Sequence, residues 1–324
     1  MKNFSNSYQK FVFGLEQINE AVAENPKEFI QSIEKNYKNQ IRSIAEYILR
    51  SNKKYRVATV SGPSASGKTT TAIMIKKELE KMGFGAVIIS LDDFYKEKHE
   101  IEVYLEDNTP DYESPSALNI SSVKQCISDI LTKGYCDIPK FDFLEKKSYK
   151  NYMHVELEEN QVAIIEGIHG LNPIFTNELP EDSFVRIYVS VKQGIFDYGG
   201  MVISNRHIRL IRRLVRDFET RKSHPQTTLF MWDNVCKGQS MYIYPFKRTS
   251  DLTINSLHLY ELCVLNKVAI PLLKKIKENS LYFKGALKLI SSLERFDSLD
   301  MNLVPKDSLI REFIGNGYSK NLLK

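Results

Sequence analysis

Chemistry is concentrated in one short stretch, Gly62-Pro63-Ser64-Ala65-Ser66-Gly67-Lys68-Thr69. It fits the spacing G-x-x-x-x-G-K-[ST], in which glycines let the backbone curl so that successive N–H groups face a phosphate. A helix starting at Lys68 adds the positive end of its dipole. Lys68 can reach the β- and γ-phosphates of a nucleoside triphosphate, and Thr69 offers a hydroxyl to Mg²⁺. The bland alternative is a glycine-rich strand-to-helix turn. The context argues against it, because the motif directly follows a strand-like run and opens a helical one.

Three further stretches narrow the reaction. Ser90-Leu91-Asp92-Asp93-Phe94-Tyr95 puts acids after a second apolar run, at the strand end where open α/β sheets build sites. One carboxylate there could take a proton from an attacking hydroxyl; either could instead cap the next segment, Asp93 above all. Ile165-Glu166-Gly167 ends another apolar run, and Glu166 could support a magnesium shell. His169 follows and has no assigned role. Arg209, Arg213 and Arg216 lie four and three apart around Leu210, Ile211, Leu214 and Val215, so they share a helix face. They read either as a solvated face or as a mobile, charge-neutralising lid, and behind this glycine loop the lid is preferred.

The elements that must hold these groups are legible as alternating patterns. Tyr55-Arg56-Val57-Ala58-Thr59-Val60 reads as a strand, Lys68 to Met82 as a helix ended by Gly83, and Ala86-Val87-Ile88-Ile89-Ser90-Leu91 as a second strand. Helical spacing returns at 120–133 before Gly134, and strand-like runs recur at 162–165 and 185–189. Such alternation predicts a parallel sheet covered by helices. Ahead of it, Phe11, Phe13, Leu15 and Ile18 begin one helical stretch; a second, from Phe29 to Ile48, lies beyond the break at Pro26. The tail from 257 onward also reads as mostly helical, interrupted near 297–307.

Composition bounds the rest. The 324 residues are 42% hydrophobic and 26% charged, which excludes disorder throughout. No long uncharged apolar run suggests a membrane span, and the first residues do not resemble a signal peptide, so a cytoplasmic location is expected. Lys and Arg exceed Asp and Glu by 45 to 40. That mild excess suits an anionic ligand, whereas nucleic acid binding would call for a basic stripe. Cys126, Cys136, Cys236 and Cys263 form neither a C-x-x-C pair nor a zinc pattern, so reduced thiols are expected and a structural zinc is not.

In order, GPSASGKTT, SLDDFYK, DYESPSAL, IPKFDF, IIEGI, RLIRRLVRD and YPFKRTSDLTINS resemble the uridine kinase and phosphoribulokinase group of P-loop kinases. IIEGIHGLNP, TLFMW and VPKDSLIREFIG are similar to a bacterial nucleoside kinase subgroup in which a threonyl-tRNA synthetase-like region often precedes the kinase. Residues 1–54 resemble the connector between the two. The resemblance implies ATP- and Mg²⁺-dependent phosphorylation of a nucleoside 5′-hydroxyl. Carried over residue by residue, it implies that Lys68, Asp92 (the general base) and Arg216 are catalytic. ATP would be bound by Gly62, Ser64, Ala65, Ser66, Gly67, Lys68, Thr69, Thr70 and Arg221, and the metal by Thr69 and Glu166. Tyr95, Tyr112, Glu113, Phe141, Phe143 and Arg213 would line the nucleoside pocket, with Glu113 in place of a ribose-binding aspartate.

Departures stand out. Phe141 and Lys146 occupy positions where uridine kinases read the base with tyrosine and histidine. His207 and Ile208 replace an acidic residue, and Arg221-Lys222 replaces an Arg-Gly pair. The expected architecture is an α/β three-layer P-loop NTPase kinase fold with a mostly parallel sheet and helical additions at both ends. Its divisions are a helical arm at 1–54, a kinase core at 55–256 with a lid around 206–248, and a helical extension at 257–324. A homo-oligomer is compatible with the arm. The alternative functions are a same-fold kinase for another small hydroxyl compound, such as a sugar phosphate or pantothenate, and a nucleotide-binding regulatory or RNA-associated protein with little turnover.

Overall fold

The computed structural model describes residues 14–50 and 56–316, apart from 107, 144, 178 and 179. The expectations at Phe11, Phe13 and Tyr55 lie outside the described residues. Five parallel strands form the centre: β1 (Val57–Ser61), β2 (Gly85–Ser90), β5 (Gln161–Glu166), β6 (Phe184–Ser190) and β9 (Leu252–Asn255), in the order β2-β5-β1-β6-β9. The register sets Val60 opposite Glu166 and Ser90 opposite Glu166. The ends of β1, β2 and β5 therefore open on one edge, which is where the candidate groups cluster.

Alternating side chains divide the two faces of the sheet. Ala58, Val60, Ala86, Ile88, Ile164 and Ile187 pack with α1 (Leu15–Glu24), α2 (Pro26–Arg50), α3 (Lys68–Lys81), α5 (Asn205–Arg221), α6 (Pro225–Gly238), α7 (Glu261–Leu273) and α8 (Phe283–Leu293). Val57, Ile89, Ala163, Ile165 and Phe184 pack on the other side with α4 (Ile120–Thr132) and the antiparallel hairpin of β3 (Tyr135–Asp142) and β4 (Lys147–Glu156). These are the three layers of an α/β kinase fold. No helix among the described residues is long and apolar enough to cross a membrane.

Five strands escape the apolar-run reading. β3 and β4 form a half-exposed hairpin whose polar and apolar residues alternate (Tyr135 exposed, Cys136 buried, Asp137 exposed, Ile138 buried) rather than run together. β9 is four residues long and needs β6 as a partner. A second hairpin, β7 (Ile195–Asp197) with β8 (Gly200–Ile203), is shorter still. The cysteine expectation is corrected in part: Cys126 and Cys136 are joined as a disulfide between α4 and β3, while Cys236 and Cys263 are free and buried. The α4–β3 turn brings two positions ten apart in sequence to a Cα separation of 5.2 Å, a proximity that residue spacing does not announce.

The helical ends of the chain are part of this packing. Ile33, Ile41 and Ile44 of α2 join the same apolar cluster as α3, and Tyr37 of α2 shares a 2.6 Å hydrogen bond with Thr71 of α3. The last described helix, α9 (Arg311–Ile314), lies against α5.

Candidate active site at the strand ends

β1 delivers the chain into the glycine loop against β6. A Cβ on Gly62 would lie 2.0 Å from the Val189 carbonyl oxygen, so no side chain fits there. Gly67 takes φ +87° as it hands over to α3, and Ala65 is also left-handed at φ +58°. These turns leave the helix N-terminus open. Arginines of α5 hold the loop from outside. Arg209 donates to the Ser64 carbonyl (2.9 Å), Arg212 to those of Ala65 and Ser66 (3.4 and 3.5 Å), and Arg213 to the Ser64 hydroxyl (2.8 Å). Arg212 is fully buried and is neutralised by Glu261 at 2.5 and 2.9 Å. Lys68 makes one long contact, 3.4 Å to the Pro63 carbonyl, and no ion pair among the described residues. Its charge is available to an incoming anion.

Acids gather at the neighbouring strand ends. Glu166 is buried and accepts from the Ser90 hydroxyl at 2.8 Å and the Thr69 hydroxyl at 3.3 Å. Burial raises its pKa well above the usual carboxylate range, the negative charge of Asp92 adds to this, and Lys68 opposes it. Three oxygen-bearing side chains thus converge beside the glycine loop, a donor set that suits a hard divalent cation. Asp92 and Asp93 sit in the single turn Leu91–Phe94 after β2. Their environments differ. Asp93 is tied to Lys140 of β3 at 2.8 Å, and burial is the main cause of its raised pKa. Asp92 instead contributes negative charge to Glu166, Glu113 and Tyr95 and faces the charge of Arg221.

An aromatic group adjoins Asp92. The ring of Tyr95 lies 5.8 Å from Phe141, 5.9 Å from Phe143 and 6.1 Å from Tyr112, and its hydroxyl donates to the Tyr112 carbonyl. Phe141 is buried, whereas Phe143 is 42% exposed. Glu113 borders these rings with Oε2 buried and lacking a hydrogen-bond partner. Burial pushes its carboxyl up to about 7, while Arg213 and Lys68 pull it down. Gly238 backs it, since a Cβ there would come within 2.3 Å of the Glu113 Cβ. Lys146 is outside this group, exposed in the β3–β4 turn with φ +56°. His169 is buried, its ring centroid 6.4 Å from that of Tyr242, and burial lowers its pKa to about 3, so the ring is neutral.

The arginine cluster has an organiser that sequence reading did not assign. Asp217 is buried on α5 and accepts from Arg216 at 2.8 Å, with Arg213 at 3.2 Å and Arg221 at 3.6 Å. Burial raises its pKa, but Arg216, Arg213 and Arg221 outweigh this and hold the carboxyl below its usual value. The signal was present, because Asp217 stands four residues from both Arg213 and Arg221. Arg221 also lies 5.6 Å from the centre of the Phe143 ring, joining the arginines to the aromatic group. α5 is less a solvated face than a wedge of the core, with Arg209, Arg212 and Arg213 all buried. Chemically, the edge presents a loop of N–H groups, a lysine, three clustered arginines, a candidate base and a cation-type donor set within one surface.

Known proteins share this layout in sequence. The profile described as "Phosphoribulokinase / Uridine kinase family" matches residues 57–262. The chain is 27% identical over 237 residues to "Uridine-cytidine kinase C" of Dictyostelium discoideum, covering 73% of this chain but only 44% of that protein. It is 26% identical over 198 residues to "Uridine kinase" of Staphylococcus haemolyticus, covering 60% of this chain and 84% of that one. Among solved structures, a possible uridine kinase from Bacillus stearothermophilus is 17% identical with a TM-score of 0.45, over 67% of this chain and 97% of that chain. With the glycine loop, the strand-end acids and the arginine helix all inside the matched span, the chain belongs to the phosphoribulokinase and uridine kinase family of P-loop kinases.

Proposed function

We propose that the protein transfers the γ-phosphoryl group of ATP to the 5′-hydroxyl of a nucleoside, of the uridine and cytidine type, giving the nucleoside monophosphate and ADP. The observation that carries this reading is the division between two neighbouring aspartates. Asp93 is committed to Lys140, while the charge of Asp92 acts on both Glu166 at the end of β5 and Glu113 beside the aromatic rings. The nucleoside oxygen attacks the γ-phosphorus, its proton passes to Asp92, and the bond from the γ-phosphorus to the bridging oxygen breaks to release ADP. Lys68 and the loop N–H groups hold the phosphates. Arg213, Arg216 and Arg221, kept together by Asp217, offset the charge that spreads over the transferred group.

Thr69, Ser90 and Glu166 are the residues that would hold Mg²⁺; the buried carboxyl beside two hydroxyls fits such an ion. When bound, the ion supplies charge neutralisation and orientation to the phosphate oxygens. Glu113 is placed to accept from ribose hydroxyls, and Tyr95, Tyr112, Phe141 and Phe143 to stack on the base. Phe141 has no polar atom, so base selection falls to shape and stacking. A cytoplasmic location accompanies this reading. The test is ADP release with uridine, cytidine, adenosine, guanosine and inosine as acceptors. Turnover with pyrimidine nucleosides above the ATP-only background is expected; its absence with all five rejects the nucleoside assignment.

A further inference from the structure

We infer that Glu312, far outside the glycine loop in sequence, is a positioning residue for that loop, acting through Thr70. The inference rests on reading the loop as the nucleotide site. The Thr70 hydroxyl donates to Glu312 Oε2 at 2.6 Å, across 242 residues of chain. Thr70 is the third residue of α3, so the carboxylate lies by the helix's positive end and restrains its first turn. A charge-assisted bond this short is worth more than a neutral one.

Two further contacts make the same segment a floor for the loop. Leu309 is fully buried beneath Gly67, where a Cβ would come within 2.6 Å of its Cδ1. Phe313 is fully buried with Arg212 5.0 Å from its ring centre, and Arg212 donates onward to the Ala65 and Ser66 carbonyls. The segment is itself anchored. Arg311 donates to the carbonyls of Val304 (2.5 Å) and Met301 (2.9 Å), and the Ser308 hydroxyl lies 3.0 Å from that of Tyr260. A floor fixed at both sides and bonded to Thr70 holds the N–H groups of the loop in one arrangement before ligand arrives. Binding a phosphate then requires less ordering.

The experiment measures MgADP affinity by calorimetry, together with the ATP KM and kcat, for Glu312→Ala and Glu312→Gln. Glu312→Ala removes the bond and should weaken MgADP binding and raise the ATP KM by about five- to tenfold. This is less than the full scale of a hydrogen bond to a charged group, about ten- to hundredfold, because the carboxylate acts on the nucleotide only through the loop. The nucleoside KM and kcat should move less than about twofold. Glu312→Gln keeps an acceptor oxygen and should restore most of the affinity. Unchanged nucleotide affinity in Glu312→Ala overturns the inference, as does a Gln variant as impaired as Ala. A uniform loss in nucleoside KM, kcat and melting temperature would also overturn it, by making Glu312 a general stability residue. MgADP binding does not depend on the acceptor, so failure of the nucleoside reading leaves a distinct signature: normal nucleotide binding with no nucleoside turnover.

Discussion

The phosphate-facing and acceptor-facing halves of the site are built from different materials. On the phosphate side, backbone carbonyls of Ser64, Ala65 and Ser66 are each held by a buried arginine, and Gly62 and Gly67 leave no room for side chains. On the proposed acceptor side, recognition would fall to side chains from separate segments: Tyr95 after β2, Glu113 in a loop, Phe141 and Phe143 on a hairpin whose second ring is 42% exposed. A phosphate has the same shape on every substrate, so a rigid backbone cradle serves it. An acceptor is distinguished by its edges and faces, and single side chains can change there without disturbing the fold. The departure at Phe141 falls on that second side, whereas Lys146 lies outside it in the β3–β4 turn.

The widest gap between the halves should appear at the paired aspartates where they meet. Asp92→Asn should retain MgADP binding while kcat falls by about 10²–10⁴, the range of general-base assistance. Asp93→Asn should leave kcat within a fewfold and cost about 1 kcal/mol or less, since its Lys140 partner is half exposed. Steady-state kinetics and melting curves on both variants check this. If Asp93 proves essential and Asp92 dispensable, the two roles are reversed.

On the phosphate side alone, Lys68→Ala should fold normally and lose turnover by about 10²–10³, the scale of removing one electrostatic stabiliser. The ammonium's contact with Pro63 is only a long 3.4 Å, so little of the fold depends on it. Near-wild-type turnover by the folded variant would break the assignment of the loop to catalysis.

Acceptor recognition should carry a pH signature. Glu113 has its pKa raised from 4.5 to about 7, mainly by burial. Its ionised form accepts hydrogen bonds from hydroxyls, so nucleoside kcat/KM should rise as pH passes upward through 7, and Glu113→Gln should flatten that rise. Stability has the opposite sign. The folded state binds this proton more tightly than the unfolded one, so stability present below pH 4.5 is lost as pH rises through 7. Glu113→Gln should therefore melt higher than wild type at pH 8, with the difference shrinking toward pH 5. A Gln variant equally stable at both pH values relative to wild type would place the raised titration elsewhere.

The smallest effect concerns the end of α5. Lys222 caps that helix in the left-handed region at φ +54°, where the resembled kinases have glycine. Lys222→Gly should stabilise by about 0.5–1 kcal/mol, the strain of one left-handed residue less the chain entropy of glycine. A melting temperature lower than wild type would mean that the lysine side chain makes an offsetting contact.

Much of the phosphate half could be read from residue order. Gly62 through Thr69 are consecutive, and strands of four to six apolar residues announce a parallel sheet without any partner being known. Asp217 was visible inside the arginine stretch, yet its meaning required knowing that α5 is buried. The hairpin of β3 and β4 was harder to read: its apolar run is interrupted by polar positions on the exposed side, and a strand of that kind is recognisable only beside its partner. The Cys126–Cys136 link was missed for a related reason, since only the turn between α4 and β3 brings the two sulfurs together.

By itself, the sequence determined the chemistry of the loop and the class of fold, because both rest on local geometry: glycines that permit a curl, a helix that starts at a fixed residue, and the period of apolar positions. Tertiary structure alone decided which of two adjacent aspartates is tied away, which carboxylate gathers three arginines, and what lies beneath the loop. Leu309 under Gly67 and Glu312 on Thr70 come from more than two hundred residues downstream. No local period encodes such a meeting. It follows from how the whole set of apolar faces closes around one sheet, which is a property of the packed chain.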